Sequence, residues 1–516
     1  MIRTQSTDVE VLRKYLENSE YELAQKLILK TIKKKKFNAL FRLGICALNL
    51  SYLSLAFTCF AELKKIDPKH SAINLNLSKI FYLSGDIEQS ISLLESDMQF
   101  FTNKNLVASN LLMYYEYSYR LSSRQRFELA KNLAPQYIPD DSIRRKEIGV
   151  NKKLRVGFVS GDFNLHPVGR LLVPFLENYD RTKFDVFLFH TLHQQDTLTQ
   201  YLGSLSSYEN VANQDDRMLT GYIIDKEINV LIDLAGHSKG GRMQVFANKP
   251  APIQICWIGY FGTTGLDCFD AIFLDKWLSK RVSQADFSEP IVDIASGRFC
   301  FQPSSLCPSI SNRKKSLDQK NIVFGSFNNT AKYGNDVIST WSQVLTQVPG
   351  SVILLKNKTF RDTFSRKRIY SLFENYGIAD ERIILENSSN YDVLLSRYND
   401  IDICLDPFPF SGGYTSLEAL WMGCPVITLA GDRISGLQTQ SYLEILGLEI
   451  LVAPDIDQYI KTAVGLAKRP DQIELFARTI RSKLSASCIL DVNEHTKNIE
   501  NAIIKTTLDP LNSNET

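Results

Sequence analysis

Apolar and polar positions follow one pattern before about residue 140 and another after about residue 150. Between residues 20 and 105, small and apolar residues recur every 34 positions, the length of a tetratricopeptide unit. One unit carries Leu43, Gly44, Ala47, Ala56, Phe60 and Pro68, and the next carries Leu77, Ser78, Phe81, Ser90, Leu94 and Thr102. This pattern predicts pairs of short helices over residues 1–138, stacked into an all-α tetratricopeptide-like arm.

Residues 43–61 contain no charged side chain, and this run is close in length to a membrane span. It includes polar residues such as Asn49 and Ser51, and the repeat pattern explains it as two short helices joined by a turn. We therefore expect no membrane span.

Beyond residue 150, short runs rich in Val, Ile and Phe alternate with amphipathic stretches. The first series occupies residues 154–160, 184–190, 228–236, 253–260 and 271–275. The second occupies residues 321–327, 351–356, 382–386, 402–406, 425–431 and 449–453. Apolar strands that alternate with helices predict an α/β fold with two Rossmann-like domains, over residues 150–305 and 320–508, facing a cleft. A last helical stretch near residues 493–505 is expected to brace the two halves.

Composition and charge narrow the possible functions. The formal net charge is only +2, so bulk charge does not indicate nucleic acid or an anionic membrane as a partner. The nine cysteines are scattered without a CxxC pair, which predicts neither a disulfide framework nor a zinc site. Because the N-terminus also lacks the apolar core of a signal peptide, the predicted location is cytoplasmic.

In parallel sheets, ligands bind at the carboxyl ends of the strands, so the loops after the strands are candidates for chemistry. After the strand at residues 402–406, Gly412 and Gly413 open a helix that begins near Tyr414 or Thr415. Glycines let the backbone approach a ligand, and a helix start offers free N–H groups to a diphosphate. The sequence therefore predicts a diphosphate seat at this turn.

Side chains on two loops are predicted to contact the same ligand. Glu418 lies one turn into the helix, where a carboxylate can accept from a ribose hydroxyl. Asn328, Asn329 and Lys332 follow the strand at residues 321–327. A lysine there is suited to neutralise a leaving diphosphate, which is the central need in breaking a sugar–nucleotide bond.

Two histidines and two threonines follow strands of the first half. His166 lies at a strand-to-helix junction, as a candidate general base or acceptor contact. His237 lies in one glycine-rich loop, and Thr263 and Thr264 lie in another. Taken alone, these features have ordinary explanations: a loop, a solvated lysine or a histidine that caps a helix. Their convergence at the carboxyl ends of four strands favours one shared site.

Five segments carry a resemblance to a known family, namely residues 154–172, 231–242, 250–266, 322–333 and 402–431. In these segments the chain resembles the O-GlcNAc transferase/SPINDLY group, glycosyltransferase family 41, in its bacterial form with repeats in front. The resemblance covers roughly residues 150–490 and the repeats. It implies a GT-B fold and an inverting transfer, without a metal, from a nucleotide-sugar to a protein hydroxyl.

The resemblance also implies roles for particular residues. Lys332 and His166 become the catalytic candidates, as the lysine that stabilises the departing diphosphate and the histidine once proposed as the base. The predicted substrate-binding residues are Asn328, Asn329, Gly412, Gly413, Tyr414, Thr415, Glu418, His237, Thr263 and Thr264. Asp400 and Asp402 resemble a metal-binding pair, but they lead into an apolar strand and are interpreted as structural. No metal and no other cofactor are therefore expected.

Departures from the family leave alternatives open. The resemblance implies that Tyr391 and Leu394 stand where relatives carry a lysine and a histidine, and a further departure places Leu437 where they carry an arginine. A UDP-GlcNAc-like donor and a Ser or Thr of a protein acceptor, presented by the helical repeats, are the favoured substrates. A GDP- or CMP-sugar, an asparagine or small-molecule acceptor, and a non-catalytic repeat scaffold are the alternatives.

Overall fold

The computed structural model describes residues 4–96, 98–101, 103–143, 153–304, 307–310 and 321–512. Thr102 and most of the two polar segments that separate the predicted domains lie outside the described residues. Within the described ranges, a helical arm is followed by two parallel sheets with helices on both faces.

The N-terminal arm consists of antiparallel helix pairs. Its helices are α1 Thr4–Glu17, α2 Tyr21–Lys33, α3 Phe37–Asn49, α4 Leu53–Ile66, α5 Ser71–Ser84, α6 Ile87–Ser96, α7 Lys104–Tyr115 and α8 Ser123–Leu133. Where α3 crosses α4, a Cβ on Gly44 would lie 2.9 Å from the Phe60 ring, so the crossing requires a residue without a side chain. Where α5 crosses α6, the hydroxyls of Ser78 and Ser90 lie 3.0 Å apart in a hydrogen bond. The repeat pattern is confirmed, with small residues at both crossings.

The uncharged run at residues 43–61 forms parts of α3 and α4 and the turn between them. Its apolar side chains, such as Leu43 and Leu53, are fully buried between neighbouring helices. No helix among the described residues is both long enough and apolar enough to cross a membrane.

The first sheet has seven parallel strands in the order β3-β2-β1-β4-β5-β6-β7. Its strands are β1 Leu154–Ser160, β2 Phe184–His190, β3 Ser207–Asn210, β4 Val230–Asp233, β5 Ile253–Cys256, β6 Ala271–Asp275 and β7 Ile291–Ile294. Its helices are α9 Pro167–Asn178, α10 Thr197–Leu205, α11 Asp216–Asp225, α12 Met243–Ala247 and α13 Lys276–Ser279. The order reverses between β1 and β4, which is where a doubly wound sheet binds ligands.

The second sheet has six parallel strands in the order β10-β9-β8-β11-β12-β13. Its strands are β8 Val323–Ser326, β9 Val352–Lys356, β10 Ile383–Glu386, β11 Ile403–Leu405, β12 Val426–Leu429 and β13 Val452–Ala453. The helices are α14 Asn335–Gln347, α15 Thr363–Glu374, α16 Tyr391–Arg397, α17 Tyr414–Trp421, α18 Ile434–Ile445, α19 Ile456–Ala467, α20 Pro470–Ser485 and α21 Val492–Asn512. Here the order reverses between β8 and β11.

Helix α21 returns from the second half to the first. The Glu500 carboxylate accepts a hydrogen bond of 2.6 Å from the backbone N–H of Asp180, at the end of α9. His495 is fully buried against Ser296 of the first half. The expected brace is therefore confirmed, and the two sheets take the GT-B arrangement.

Candidate active site

A cavity of about 1160 Å³ lies where the two halves and the arm meet. The first half contributes the loops after β1 and β4, and the second half contributes the loops after β8, β9 and β11. The arm closes the cavity with side chains from α5 and α7. The site therefore has three walls, one from each part of the chain.

The turn before α17 has the geometry of an anion seat. The backbone N–H groups of Gly413, Tyr414 and Thr415 have no hydrogen-bond partner among the described residues, as is usual at a helix start. Gly412 lies behind this turn, and its N–H donates to Asp406 Oδ1 over 2.7 Å. Gly412 therefore shapes the seat from behind, while the other three residues line the cavity.

Lys332 reaches the same turn from the loop after β8. Its Nζ donates to the Ser411 carbonyl oxygen over 2.6 Å and to Asn328 Oδ1 over 3.2 Å. Asn328 Oδ1 also accepts from the Thr415 hydroxyl over 3.0 Å, so one amide links the lysine to the helix start. Burial lowers the pKa of Lys332 to about 8, although attraction by the buried Asp406 opposes this shift. The lysine is therefore held beside the free N–H groups.

Glu418 lies below the seat and does not line the cavity. It is 5% exposed, and burial raises the pKa of its carboxyl to about 7, against hydrogen bonding by Tyr391 and attraction by Arg170. The Arg170 guanidinium lies 4.1 Å from the centre of the Tyr391 ring and so joins α9 of the first half to α16 of the second. Tyr391 thus covers the carboxyl that the sequence analysis assigned to a ribose hydroxyl.

His166 stands at the start of α9 with nearly half of its side chain exposed to the cavity. Its Nδ1 accepts a long hydrogen bond of 3.4 Å from the Val168 N–H and lies 3.6 Å from Asp162 Oδ2. Desolvation in the cleft lowers the pKa of His166, while Asp162 raises it. The lowered pKa favours the neutral ring, and a neutral ring that accepts at Nδ1 carries its proton on Nε2.

His237 also reaches the cavity, but both of its nitrogens are already bonded. Nε2 lies 2.9 Å from the Thr264 carbonyl oxygen, and Nδ1 lies 3.0 Å from the hydroxyl of Ser109 in the arm. Burial lowers its pKa to about 4, so the neutral ring donates through Nε2 and accepts at Nδ1. His237 therefore connects the arm to the first half at the wall of the site.

Thr263 and Thr264 lie behind this wall and do not line the cavity. The Thr263 hydroxyl donates to the Glu289 carboxylate over 2.8 Å, and the Thr264 N–H donates to it over 2.7 Å. All three residues are buried. The structure therefore gives these two threonines a local contact that supports the loop carrying His237.

Most of the residues predicted from sequence converge on one cavity, and a minority lie just outside it. Those that line the cavity are His166, His237, Asn328, Asn329, Lys332, Gly413, Tyr414 and Thr415. Those that lie behind its walls are Gly412, Glu418, Thr263 and Thr264.

Comparison with known families identifies the chain. The model named Glycosyl transferase family 41 matches residues 139–314 and 302–499, which together make up more than half of the sequence. The chain belongs to glycosyltransferase family 41.

Two plant proteins and one solved structure illustrate this membership. The tomato protein named as a probable UDP-N-acetylglucosamine–peptide N-acetylglucosaminyltransferase SPINDLY is 29% identical over 71% of this chain and 40% of its own length. Its Arabidopsis thaliana counterpart is 28% identical over 72% of this chain and 41% of its own length. The chain thus spans about two fifths of these relatives. The structure of a mutant of the Thermobaculum terrenum O-GlcNAc transferase superposes with a TM-score of 0.87, at 28% identity over 99% of both chains.

Several residues of this family 41 site escaped the sequence analysis. Gln438 lines the cavity, and its buried Oε1 has no hydrogen-bond partner among the described residues. Ser109 lines it from the arm, where no motif distinguishes it. Lys358 follows β9 directly, so the rule used for the other loops, a polar side chain after a strand, could have found it.

The Asp400 and Asp402 carboxylates have protein partners in the second half. Asp402 accepts from the Val323 N–H over 2.9 Å, and Asp400 pairs with Arg397 at 2.7 Å. Across the described ranges, no group of three or more His, Cys, Asp or Glu side chains is placed to hold a metal ion.

Proposed function

We propose that this chain transfers a sugar, N-acetylglucosamine or a close relative, from a uridine diphosphate donor to a Ser or Thr hydroxyl of a protein. The observation that carries the proposal is the seat at Gly413–Thr415, where free N–H groups and the Lys332 ammonium face one cavity. The names of the plant relatives and the near-complete superposition on an O-GlcNAc transferase support the choice of donor and acceptor.

The donor diphosphate accepts hydrogen bonds from the N–H groups at the start of α17 and from the Thr415 hydroxyl. When the bond between the anomeric carbon and the phosphate oxygen breaks, the electron pair stays on that oxygen. Lys332 then moves its hydrogen bonds from Ser411 and Asn328 to the departing charge. A positive group held beside the leaving oxygen in a desolvated site stabilises such charge strongly. Gln438 Oε1 accepts from a donor hydroxyl or base N–H.

The acceptor hydroxyl attacks the anomeric carbon from the side of the first half and, as the new C–O bond forms, passes its proton to an oxygen of the departing diphosphate, so that no protein base is required. Since Nδ1 of His166 accepts from Val168, its Nε2 carries the proton and holds the acceptor oxygen by donating to it. A role as base requires the other tautomer, with Nδ1–H directed at Asp162. We therefore assign His166 to positioning the acceptor.

Inversion at the anomeric carbon follows from a single displacement. A retaining double displacement needs a free carboxylate as nucleophile. Of the two aspartates that line the cavity, Asp216 pairs with Arg242 at 2.5 Å, and Asp162 lies beside His166. The proposed reaction also needs no metal, because Lys332 and the helix start neutralise the leaving group.

A nucleotide panel tests the donor. UDP, GDP and CMP, each with its sugars, are titrated into the wild-type chain, Lys332→Ala and the control Lys461→Ala by calorimetry. Lys461 is an exposed lysine on α19, outside the cavity. UDP is expected to bind the wild type and the control alike and to bind Lys332→Ala more weakly. Binding of GDP or CMP alone would replace the proposed donor, and binding of none would favour a repeat scaffold.

A further inference from the structure

Three lysines, one from each part of the chain, line the cavity. Lys79 lies on α5 of the arm, Lys239 in the loop after β4, and Lys358 in the turn after β9. Burial lowers the pKa of Lys79, and the charges of Lys239 and Lys358 lower it further. Burial likewise lowers the pKa of Lys358, with a further contribution from Lys239. All three side chains line one cavity, and their positive charges disfavour one another across it.

Among the described residues this repulsion is compensated only in part, by the attraction between Lys239 and the Asp162 carboxylate. None of the three lysines forms an ion pair or a side-chain hydrogen bond there, whereas Lys131 and Lys153 pair with aspartates elsewhere in the chain. The cavity is lined by four lysines and one arginine against two aspartates, an excess of three positive charges that exceeds the +2 of the whole chain. Gathering like charges in a cleft is unfavourable unless an anion binds between them.

The lysine cluster and the diphosphate seat are carried by different elements, since the seat lies after β8 and β11 and the three lysines lie on α5 and after β4 and β9. The pKa of Lys332 responds to burial and to Asp406, and none of the three lysines contributes to its shift. By contrast, Lys358 acts on His166, and Lys239 acts on the neighbouring Asp162. The cluster therefore belongs to the side of the cavity where His166 stands.

We propose that Lys79, Lys239 and Lys358 form a docking site for carboxylate side chains of the acceptor, which is an acidic segment flanking the modified Ser or Thr. This inference rests on the proposed function for the position of the acceptor. A protein segment fits better than a second small anion, because the three lysines come from three separate parts of the chain, the arm and the two halves, all of which line the cavity.

Two fluorescent peptides that differ only in charge test the proposal on the full chain. Each has one serine, flanked by glutamates in the first and by glutamines in the second. Binding is followed by anisotropy for the wild type, for each single Lys→Gln variant, for the triple variant and for the control Lys461→Gln. We expect the wild type and the control to prefer the glutamate peptide. Each single variant is expected to bind the glutamate peptide about threefold more weakly than the wild type does. The triple variant is expected to lose the preference, as is the wild type at about 1 M salt.

Equal binding of the two peptides by the wild type would overturn the proposal, as would a preference that survives in the triple variant. If the triple variant does not fold, the double variant Lys239→Gln/Lys358→Gln, at two exposed positions, decides the question. Calorimetry with UDP on the same preparations separates this test from the proposed function. Failure of the wild type to bind UDP contradicts the proposed donor, whereas the peptide preference reports on the lysine cluster alone.

Discussion

Lys332 must carry its proton to neutralise a departing diphosphate, yet burial lowers its pKa to about 8. Since kcat/KM reports groups of the free enzyme, we expect it to fall as pH rises through about 8. The profile of kcat should extend to higher pH, because bound diphosphate favours the charged lysine. Lys332→Arg should remove the inflection, since a guanidinium keeps its proton. A flat wild-type profile between pH 7 and about 9 would contradict the assignment.

Truncating the same side chain has a predicted magnitude. Lys332→Ala should raise the barrier by about 2.7–4 kcal/mol, by analogy with the loss of one donor to a developing oxyanion. The measurement is kcat for nucleotide release from the sugar nucleotide, with Lys461→Ala as the matched control. Turnover within a few-fold of the wild type would refute a role for Lys332 in the leaving step.

The tautomer of His166 can be tested through its neighbour. If Nε2 donates to the acceptor, Asp162→Asn should leave kcat within a few-fold of the wild type, because Asp162 only adds to the field around the ring. If His166 were the base, losing the carboxylate that supports Nδ1–H would lower kcat by orders of magnitude, as in catalytic triads. The readout is the kcat of the variant with a peptide acceptor.

Glu418 gives a pH-dependent contribution to stability. Burial raises its pKa from 4.5 to about 7 in the folded chain, so the protonated form is favoured and folding loses stability as pH rises from about 4.5 to 7. The free energy of unfolding of Glu418→Gln, taken relative to that of the wild type, should therefore be about 2 kcal/mol higher at pH 8 than at pH 5. Urea unfolding at the two pH values measures this difference. If variant and wild type differ in unfolding free energy by the same amount at both pH values, the carboxyl titrates normally.

At the scale of single residues, sequence reasoning succeeded where a motif fixes the backbone. Thr415 and Lys332 meet through Asn328 because both follow strands whose carboxyl ends are neighbours. It could not tell a residue that lines the cavity from one just behind it. Glu418 is held behind the cavity wall by Tyr391, and Thr264 is held there by Glu289. Both partners are distant in sequence, so no local pattern reveals them.

At the scale of elements, the turn before α17 depends on Gly412. A Cβ there would overlap Ser416 Oγ and lie 2.8 Å from Asp406 Oδ1, both held by buried hydrogen bonds. Gly412→Ala should therefore destabilise the chain by about 1–3 kcal/mol and weaken UDP binding at least tenfold. Gly221→Ala in α11, where a Cβ meets no atom within 4 Å, is the control and should be neutral or stabilising. Unchanged UDP binding by Gly412→Ala would remove this turn from the donor site.

Most strands could be predicted from apolar runs, and the exceptions have a common cause. The runs at residues 154–160, 184–190 and 271–275 coincide with β1, β2 and β6. The missed strands, β3 and β7, are the two edges of the first sheet and contain four residues each. Edge strands can be short and are covered on fewer sides, so β3 (Ser-Tyr-Glu-Asn) need not be apolar, and β7 (Ile-Val-Asp-Ile) is apolar over too few residues to stand out.

At the scale of the whole molecule, a buried charge cluster fastens the arm to the second half. Glu116 lies 3.4 Å from Arg126 and accepts from the Ser435 hydroxyl over 2.6 Å, and all three residues are buried. Glu116→Ala should lower the free energy of unfolding by about 3 kcal/mol, because it leaves a buried arginine unpaired. Removing the exposed pair of Arg124 with Glu128→Ala should cost less than about 1 kcal/mol. Urea unfolding of the two variants measures these losses of stability. Equal losses in Glu116→Ala and Glu128→Ala would show that the arm is loosely attached.

The arm is bonded to both walls of the cleft, through Ser109 to His237 on one side and Glu116 to Ser435 on the other. It therefore acts as a spacer that sets the distance between the two sheets. Hinge closing, a common motion of two-lobed enzymes, would have to break one set of these bonds. We therefore expect the distance between the two sheets to stay constant through a reaction cycle. The radius of gyration measured by X-ray scattering should not change when the proposed nucleotide donor is added.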